Sequence, residues 1–280
     1  MNTKTIRYII YIFIIVICIV AIGIGVYAQF FMEEDIGNNY DNDISAGGNQ
    51  NLVTGQEIKQ SFLDLFTDEF YIGNFDDSNV KKLDNSNELV YTAYSSSETV
   101  EGKYMIDVNI PVINIEGEVV NEYNSITQSV FVDKINAVIS NSSVYTIYNL
   151  DYISYVNNNI LSLAIMATIK EGNNPQRIIV QTYNYNLATG ENVTLDDILE
   201  DRDIEKSVVE NKIKTTINKA SEDAKKMAQS GYNVYQRNPE DEMYKLENIQ
   251  NFMEGPNGEL YIIFAYGNNN YTSEMDVIEI

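Results

Sequence analysis

Side chains able to carry chemistry come in few kinds in this 280-residue chain. Histidine is absent, and the one cysteine, Cys18, lies inside an uncharged apolar run. That excludes serine–histidine and cysteine–histidine nucleophiles, histidine-ligated zinc, and imidazole acid–base work at neutral pH. It also excludes a disulfide framework. Carboxylates remain, with 41 Asp and Glu against 18 Lys and Arg and a net charge of -23. Two carboxyl groups can cleave a glycosidic bond as acid and base, or as acid and nucleophile. The neighbours Asp196/Asp197 and Glu240/Glu242 are the pairs to consider for that work. Asp196-Asp197 precedes a helical turn, however, where short acidic side chains cap free N–H groups. Asp35, Asp41 and Asp43 lack the spacing of an EF-hand, and Asp76, Asp77 and Asp84 match no metal loop and read as a surface turn. No catalytic residue, metal ligand or cofactor is therefore assigned.

Tyrosine is the other chemical resource, with 21 residues. Tyr183, Tyr185, Tyr261, Tyr266 and Tyr271 form a candidate ligand surface, where rings suit stacking on a sugar or contact with a cation. The competing reading is that tyrosine favours half-buried strands. Net charge bears on the partner as well. Removing Lys4 and Arg7 leaves 16 basic residues against 41 acidic ones, a net -25 for the rest of the chain. Such a surface repels phosphate backbones and attracts basic proteins, so a cationic protein or a cell-wall glycan is expected and nucleic acid is not.

The elements that must position these groups begin with Tyr8–Ala28, twenty-one residues without charge. As a helix this run spans about 31 Å, the thickness of a bilayer core. Lys4 and Arg7 precede it and Glu33, Glu34 and Asp35 come after it, which sets residues 1–7 in the cytoplasm and the bulk of the chain outside a single-pass membrane anchor. Val26-Tyr27-Ala28 has the form of a signal-peptidase site, but the apolar run exceeds the 7–15 residues of a cleavable segment. Residues 29–53 are acidic and rich in Asn and Gly, the composition of a flexible tether.

Thr54-Gly-Gln-Glu57 reads as a capping box opening a short amphipathic helix through Ile58, Phe62, Leu65, Phe66 and Phe70. Strands are expected at 89–95 and 104–115, with Pro111 marking an edge or a strand end. A helix comes next over 118–140, with Val119, Tyr123, Ile126, Val130 and Val138 on one face. Residues 144–156 return to strand character. Then Ile160–Lys170 and Arg177–Leu187 flank Glu171-Gly-Asn-Asn-Pro-Gln176, the pattern of a hairpin. A long helix over 204–229 carries Ile204, Val208, Ile213, Ile217, Ala220, Ala224 and Met227 on one stripe, with Gly231 as its stop. Strands 260–266 and 275–280 close the chain. These elements imply an α+β fold: an antiparallel sheet packed by two main amphipathic helices, after one N-terminal transmembrane helix. The extracytoplasmic module divides into parts 54–157 and 158–280.

The run YNYNLATGENVTLDDIL at 183–199 resembles the YNFDLKTGKxLTLxDLF pattern of a known extracytoplasmic module. FMEGPNGELYIIFAYGNNNYTSE at 252–274 is similar to that module's closing hairpin, and YMIDVNIPVINIEGEVVNEYNSITQ at 104–128 to the start of the domain that precedes it. The paired module occurs in the anti-sigma factor RsiV, which senses lysozyme, and in the non-catalytic N-terminal part of the peptidoglycan deacetylase PdaC. In that family the first hairpin loop often carries Gly-Gly-Ala-His, where this chain has Gly172-Asn-Asn-Pro175. Seven N-terminal residues provide no sigma-binding region, and no histidine-bearing deacetylase domain is present. The resemblance implies the extracytoplasmic module alone, binding or sensing an envelope ligand without catalysis. A structural accessory of a membrane complex is the alternative, ahead of a glycan-acting enzyme with a carboxylate pair.

Overall fold

The computed structural model describes residues 55–67, 80–141, 143–267, 271 and 274–280. The expected tail 1–7, membrane anchor Tyr8–Ala28 and tether 29–53 lie outside the described residues, as do Thr54, Phe70, Asp76 and Asp77. Among the described residues no helix is long and apolar enough to cross a membrane.

Helix α1 (Gly55–Asp64), closed by a 3-10 turn (Leu65–Thr67), opens the described chain. Strands β1 (Val90–Val100) and β2 (Tyr104–Ile113) form an antiparallel pair. A helical stretch then runs as α2 (Glu118–Thr127), a π-turn (Gln128–Val132) and α3 (Asp133–Asn141). Next come β3 (Thr146–Asn157), β4 (Ile160–Glu171), β5 (Arg177–Asn186) and the short β6 (Glu191–Asn192). Six strands stand in sequence order, and β2 with β3 is parallel. The antiparallel sheet expected from the sequence is thus a mixed one. The chain between β2 and β3 is helical, and a helical crossover returns it to the end where β2 began, so β3 runs the same way.

After α4 (Leu195–Asp201) and α5 (Lys206–Gln229), two 3-10 turns (Glu242–Tyr244 and Leu246–Asn248) lead to β7 (Phe252–Glu254), β8 (Leu260–Tyr266) and β9 (Glu274–Glu279). These last strands form a second, antiparallel sheet. Period-two alternation divides β8 between two cores. Leu260, Ile262 and Phe264 meet Val209, Ile213 and Ile217 of α5, while Tyr261 and Ile263 meet Ala164, Ile178 and Val180 of the first sheet. The other face of the first sheet, through Leu161, Leu163, Ile165 and Ala167, packs on Val120, Phe131, Ile135 and Val138. The layers are therefore helix, sheet, sheet, helix, where one sheet packed by two main helices was expected. Strand β4 is buried on both faces, which explains its unbroken apolar run.

The described residues fall within one compact unit, and the expected division after residue 157 falls between two strands paired over their whole length. Both helical stripes are met in part, with Val138 in the one and Ile213, Ile217 and Ala224 in the other buried as expected. In the stretch from α2 to α3, Val130 is 37% exposed, and Val120, Thr127, Phe131, Ile135 and Val138 face inward. The shift is already present in α2, where Val120 and Thr127 are the buried residues and Val119 and Ile126 were expected, ahead of the π-turn. In α5, Val208 is 53% exposed and Val209 is buried, with Ser221 on the same buried stripe. Gly231 adopts φ +90° and ends that helix as expected. Pro111 lies beyond the parallel ladder, which stops at Val108, so β2 has no strand on that side for its missing N–H to serve. There the carboxamide of Asn124 takes the ladder's place, accepting from Ile113 N at 2.9 Å and donating to Ile113 O at 2.9 Å.

Candidate functional site

The five tyrosines do not share a surface. Tyr183 and Tyr185 point from β5 into the core beneath α2 and the π-turn, where burial raises both phenols above their ordinary pKa. Tyr261 packs on Phe62 of α1, ring centroids 5.5 Å apart, between the two sheets. Tyr266 is buried on the outer face of the second sheet, stacked on Tyr235 at 4.6 Å, and Tyr271 meets Tyr235 edge-on at 6.1 Å. Four of the five are therefore core or near-core rings, and a common stacking platform is not formed.

The carboxylate pairs separate in the same way. Thr194 and Asp197 form a reciprocal capping box at α4, and hydrogen bonds from Thr194 lower the Asp197 pKa. Asp196 pairs with Lys206 at 2.6 Å on the surface. Glu240 and Glu242 line two different grooves. Asp84 accepts from Tyr91 and from Ser86 N in a surface turn. Among the described residues no group of three potential metal ligands converges.

What the structure does assemble lies around residues 235–251, a segment without hydrophobic periodicity that runs back along α5. Its anchor is Arg237, whose side chain is 6% exposed. Nε donates to Asp276 Oδ2 at 2.7 Å, Nη2 donates to Glu274 Oε2 at 2.7 Å and to Asp276 Oδ1 at 3.0 Å, and Nη1 donates to Tyr235 O. The guanidinium also lies over the Tyr266 ring, 5.2 Å from its centroid. Burial opposes the charge, but the bonds and charges of Asp276 and Glu274 outweigh it and hold Arg237 above its ordinary pKa. Tyr266 donates to Asp276 and accepts from Tyr244 at 2.8 Å. Burial, reinforced by the Asp276 charge, pushes Tyr266 far up, and burial takes Tyr244 up to about 12. Ser221 of α5 donates to Arg237 O at 2.9 Å, which explains a buried serine on an otherwise apolar stripe. The donors and acceptors close on one another, so the network is a positioning device with no free proton for chemistry.

It positions the two 3-10 turns as a ridge with a groove on either side. The first groove, about 390 Å³, lies against α5 and has Ile213, Ile217, Tyr244 and Leu246 as its floor, with Glu210, Glu240, Asp241 and Glu247 on its walls beside Lys214 and Lys245. The second, about 530 Å³, has Ile249, Ile263 and Phe264 below and Glu242 and Glu247 above. Together they carry five carboxylates against two lysines, and Lys245 is already engaged by Glu242 at 2.6 Å. The volumes suit the insertion of side chains from a partner. The sequence offered Glu240 and Glu242 as a catalytic pair; the ridge turns them into walls of separate grooves.

A buried acid sits at the junction of the sheets. Glu254 Oε1 accepts from Arg202 while Oε2 has no partner, and burial raises its pKa despite Arg202. Around it Ser162 bridges Asn184 and Glu254 N, and Asn184 donates to Phe252 O at 2.8 Å, stitching β4 and β5 to β7. At 3% exposure Glu254 is closed to a polymeric substrate.

No family model matches this chain, and no curated protein does. Among solved structures, a DUF3298 family protein from Pseudomonas aeruginosa PAO1 is similar at TM-score 0.37 and 11% identity, over 69% of this chain and 88% of that one. A DUF3298 family member from Bacteroides fragilis gives TM-score 0.28 and 9% identity, over 63% and 80%. Likenesses this distant assign no activity.

Proposed function

We propose that this chain is a membrane-anchored extracytoplasmic binding module that holds a cationic protein of the cell envelope in the acidic grooves beside residues 239–251, without catalysis of its own. The supporting observation is the make-up of those grooves, an apolar floor under five carboxylates and two lysines. Apolar contact supplies affinity there, and the carboxylates supply steering and choice of partner. The charge of -23 extends the same field over the chain. Four of the five candidate tyrosines are buried, which weakens the case for a glycan stacked on them and ranks a basic protein ahead of a sugar. The anchor rests on the apolar run Tyr8–Ala28 and its flanking charges.

The test is binding of the full chain, in detergent micelles, to a lysozyme-type basic protein and to peptidoglycan fragments at low and high salt. Binding of the protein should fall steeply between about 50 and 500 mM salt as screening shortens. Glu210→Lys with Glu240→Lys should weaken it at least tenfold, and Glu122→Lys on α2 should change it little. Equal loss from both sets would move the site off the grooves, and binding of fragments alone would replace the protein partner by glycan.

A further inference from the structure

Strand β1 is the outermost strand of the six-stranded sheet, and among the described residues nothing pairs with its far edge. From Thr92 to Thr99 every residue is exposed except the half-buried Ser96, so both faces of the strand meet solvent. A long open edge presents a row of N–H and C=O groups ready to pair. The usual protections are sparse here: residues 89–97 contain no charge and no proline, in a chain of net charge -23. One bulge, between Thr92 and Tyr94, bends the start of the strand and leaves Tyr94–Val100 as the regular part.

We propose that this edge is where two copies of the chain associate, β1 against β1 in antiparallel register about Ser97, extending the sheet across a two-fold axis. The charge pattern selects a second copy over a basic partner. An acidic protein can approach itself most closely where it carries least charge, and a cationic partner finds little here to bind. Centred on Ser97, the pairing sets Tyr94 opposite Val100 and Glu98 opposite Ser96 of the second copy, so no carboxylates face each other directly. Tyr94 with Val100 is an aromatic–β-branched cross-strand pair, of the kind that stabilises antiparallel ladders. The contact is self-complementary and closes as a dimer. It is independent of the groove reading, since β1 shares no residue with either groove.

The test uses the full chain in detergent micelles with Cys18→Ala, carrying in turn Ser97→Cys, Thr99→Cys and, as a control, the exposed Ser129→Cys of the helix. Residues facing across an antiparallel dyad have Cα atoms about 4.5–5.5 Å apart, within disulfide reach. Mild oxidation should cross-link Ser97→Cys into dimers several-fold faster than Ser129→Cys, with Thr99→Cys slower than Ser97→Cys. Light scattering of the otherwise unmodified chain should give a dimer, and Ser97→Glu, placing two carboxylates at the dyad, should weaken it about tenfold or more. Ser97 is exposed, so the fold should survive, which an unchanged thermal transition confirms. A monomeric chain, a dimer indifferent to Ser97→Glu, or cross-linking no faster than the control overturns the proposal.

Discussion

Two arginines pair with acids in this protein, and the pairs are built on different terms. Arg237 is surrounded: Asp276, Glu274 and the Tyr235 carbonyl take its N–H groups, and Tyr266 covers its face. Arg202 meets Glu254 with one carboxylate oxygen only, the other oxygen being left without a partner, and spends its second contact on Gly258 O at 2.6 Å. Taking charges out of water costs several kcal/mol per ion, and that cost is offset only where the remaining donors and acceptors are also satisfied. The Arg237 cluster meets that condition and the Glu254 contact does not. Completeness of the shell, more than the presence of an ion pair, separates a fixed anchor from a tolerated burial.

The sharpest way to break this contrast is Arg237→Met, which keeps much of the volume and leaves the half-buried carboxylates of Asp276 and Glu274 without their cation. The expected loss is about 3–5 kcal/mol, seen as a fall of about 10 °C or more in Tm for a unit of this size. The same variant should loosen the ridge between the grooves and weaken binding of the cationic protein there. A loss under about 1 kcal/mol would mean that the network follows the fold instead of holding it.

This anchor marks the limit of what the chain's pattern discloses. Elements with a regular period were legible: the hairpin over 160–186, the strand 260–266, the capping of a helical turn by Asp197 and the stop at Gly231 all stand where the residues place them. Helical faces were legible only to within a residue, because adjacent valines such as Val119 and Val120 or Val208 and Val209 fit the period almost equally well and Ser221 hides a buried position behind a polar name. Parallel pairing of β2 with β3 comes from a crossover direction that period alone does not carry. The site was least legible. Residues 235–251 have neither period, and Arg237 reads as one more surface charge until Asp276, thirty-nine residues on, is folded against it. Tyrosines misled for the same reason: strand propensity and ligand contact use the same ring, and only topology tells them apart.

Glu254→Gln probes the other side of the comparison. Burial raises the Glu254 pKa above the ordinary 4.5 of glutamate, so the folded state holds this proton more tightly than the unfolded chain. Its contribution is favourable below about 4.5 and is lost as pH rises through the folded value. Removing the charge should therefore cost less than about 1 kcal/mol at neutral pH, far below Arg237→Met, and should flatten the decline in stability on the alkaline side of 4.5. Thermal unfolding of both proteins from pH 4 to 8 reads this directly. A large loss at pH 7 would show that Arg202 needs the charge after all, and the distinction between the two sites would collapse.

Glu171 lies between these extremes, bridging Lys134 of α3 at 2.9 Å and Arg177 of β5 with its side chain 28% exposed. The bond from Lys134 leads the causes that lower its pKa. The sign is opposite to Glu254: stability from this bridge is present above about 4.5 and lost as pH falls through the folded value. Glu171→Gln should cost about 1 kcal/mol at neutral pH, reduced from a buried pair by solvent screening. The difference from wild type should vanish under acid. A cost that persists unchanged at pH 3 would point to packing of the side chain instead of its charge.

The smallest effect belongs to the pair that looks as good as any by distance. Lys206 and Asp196 approach to 2.6 Å, shorter than any bond to Arg237, yet their side chains are 56% and 60% exposed. Water and salt screen such a pair, and ordering two mobile side chains costs entropy, so Asp196→Asn should change stability by no more than about 0.5 kcal/mol. Together with Arg237→Met it separates distance from burial as the governing variable. An Asp196→Asn effect approaching that of Glu171→Gln would place the energy in the contact itself, and the surrounding shell could then no longer explain why Arg237 anchors the ridge.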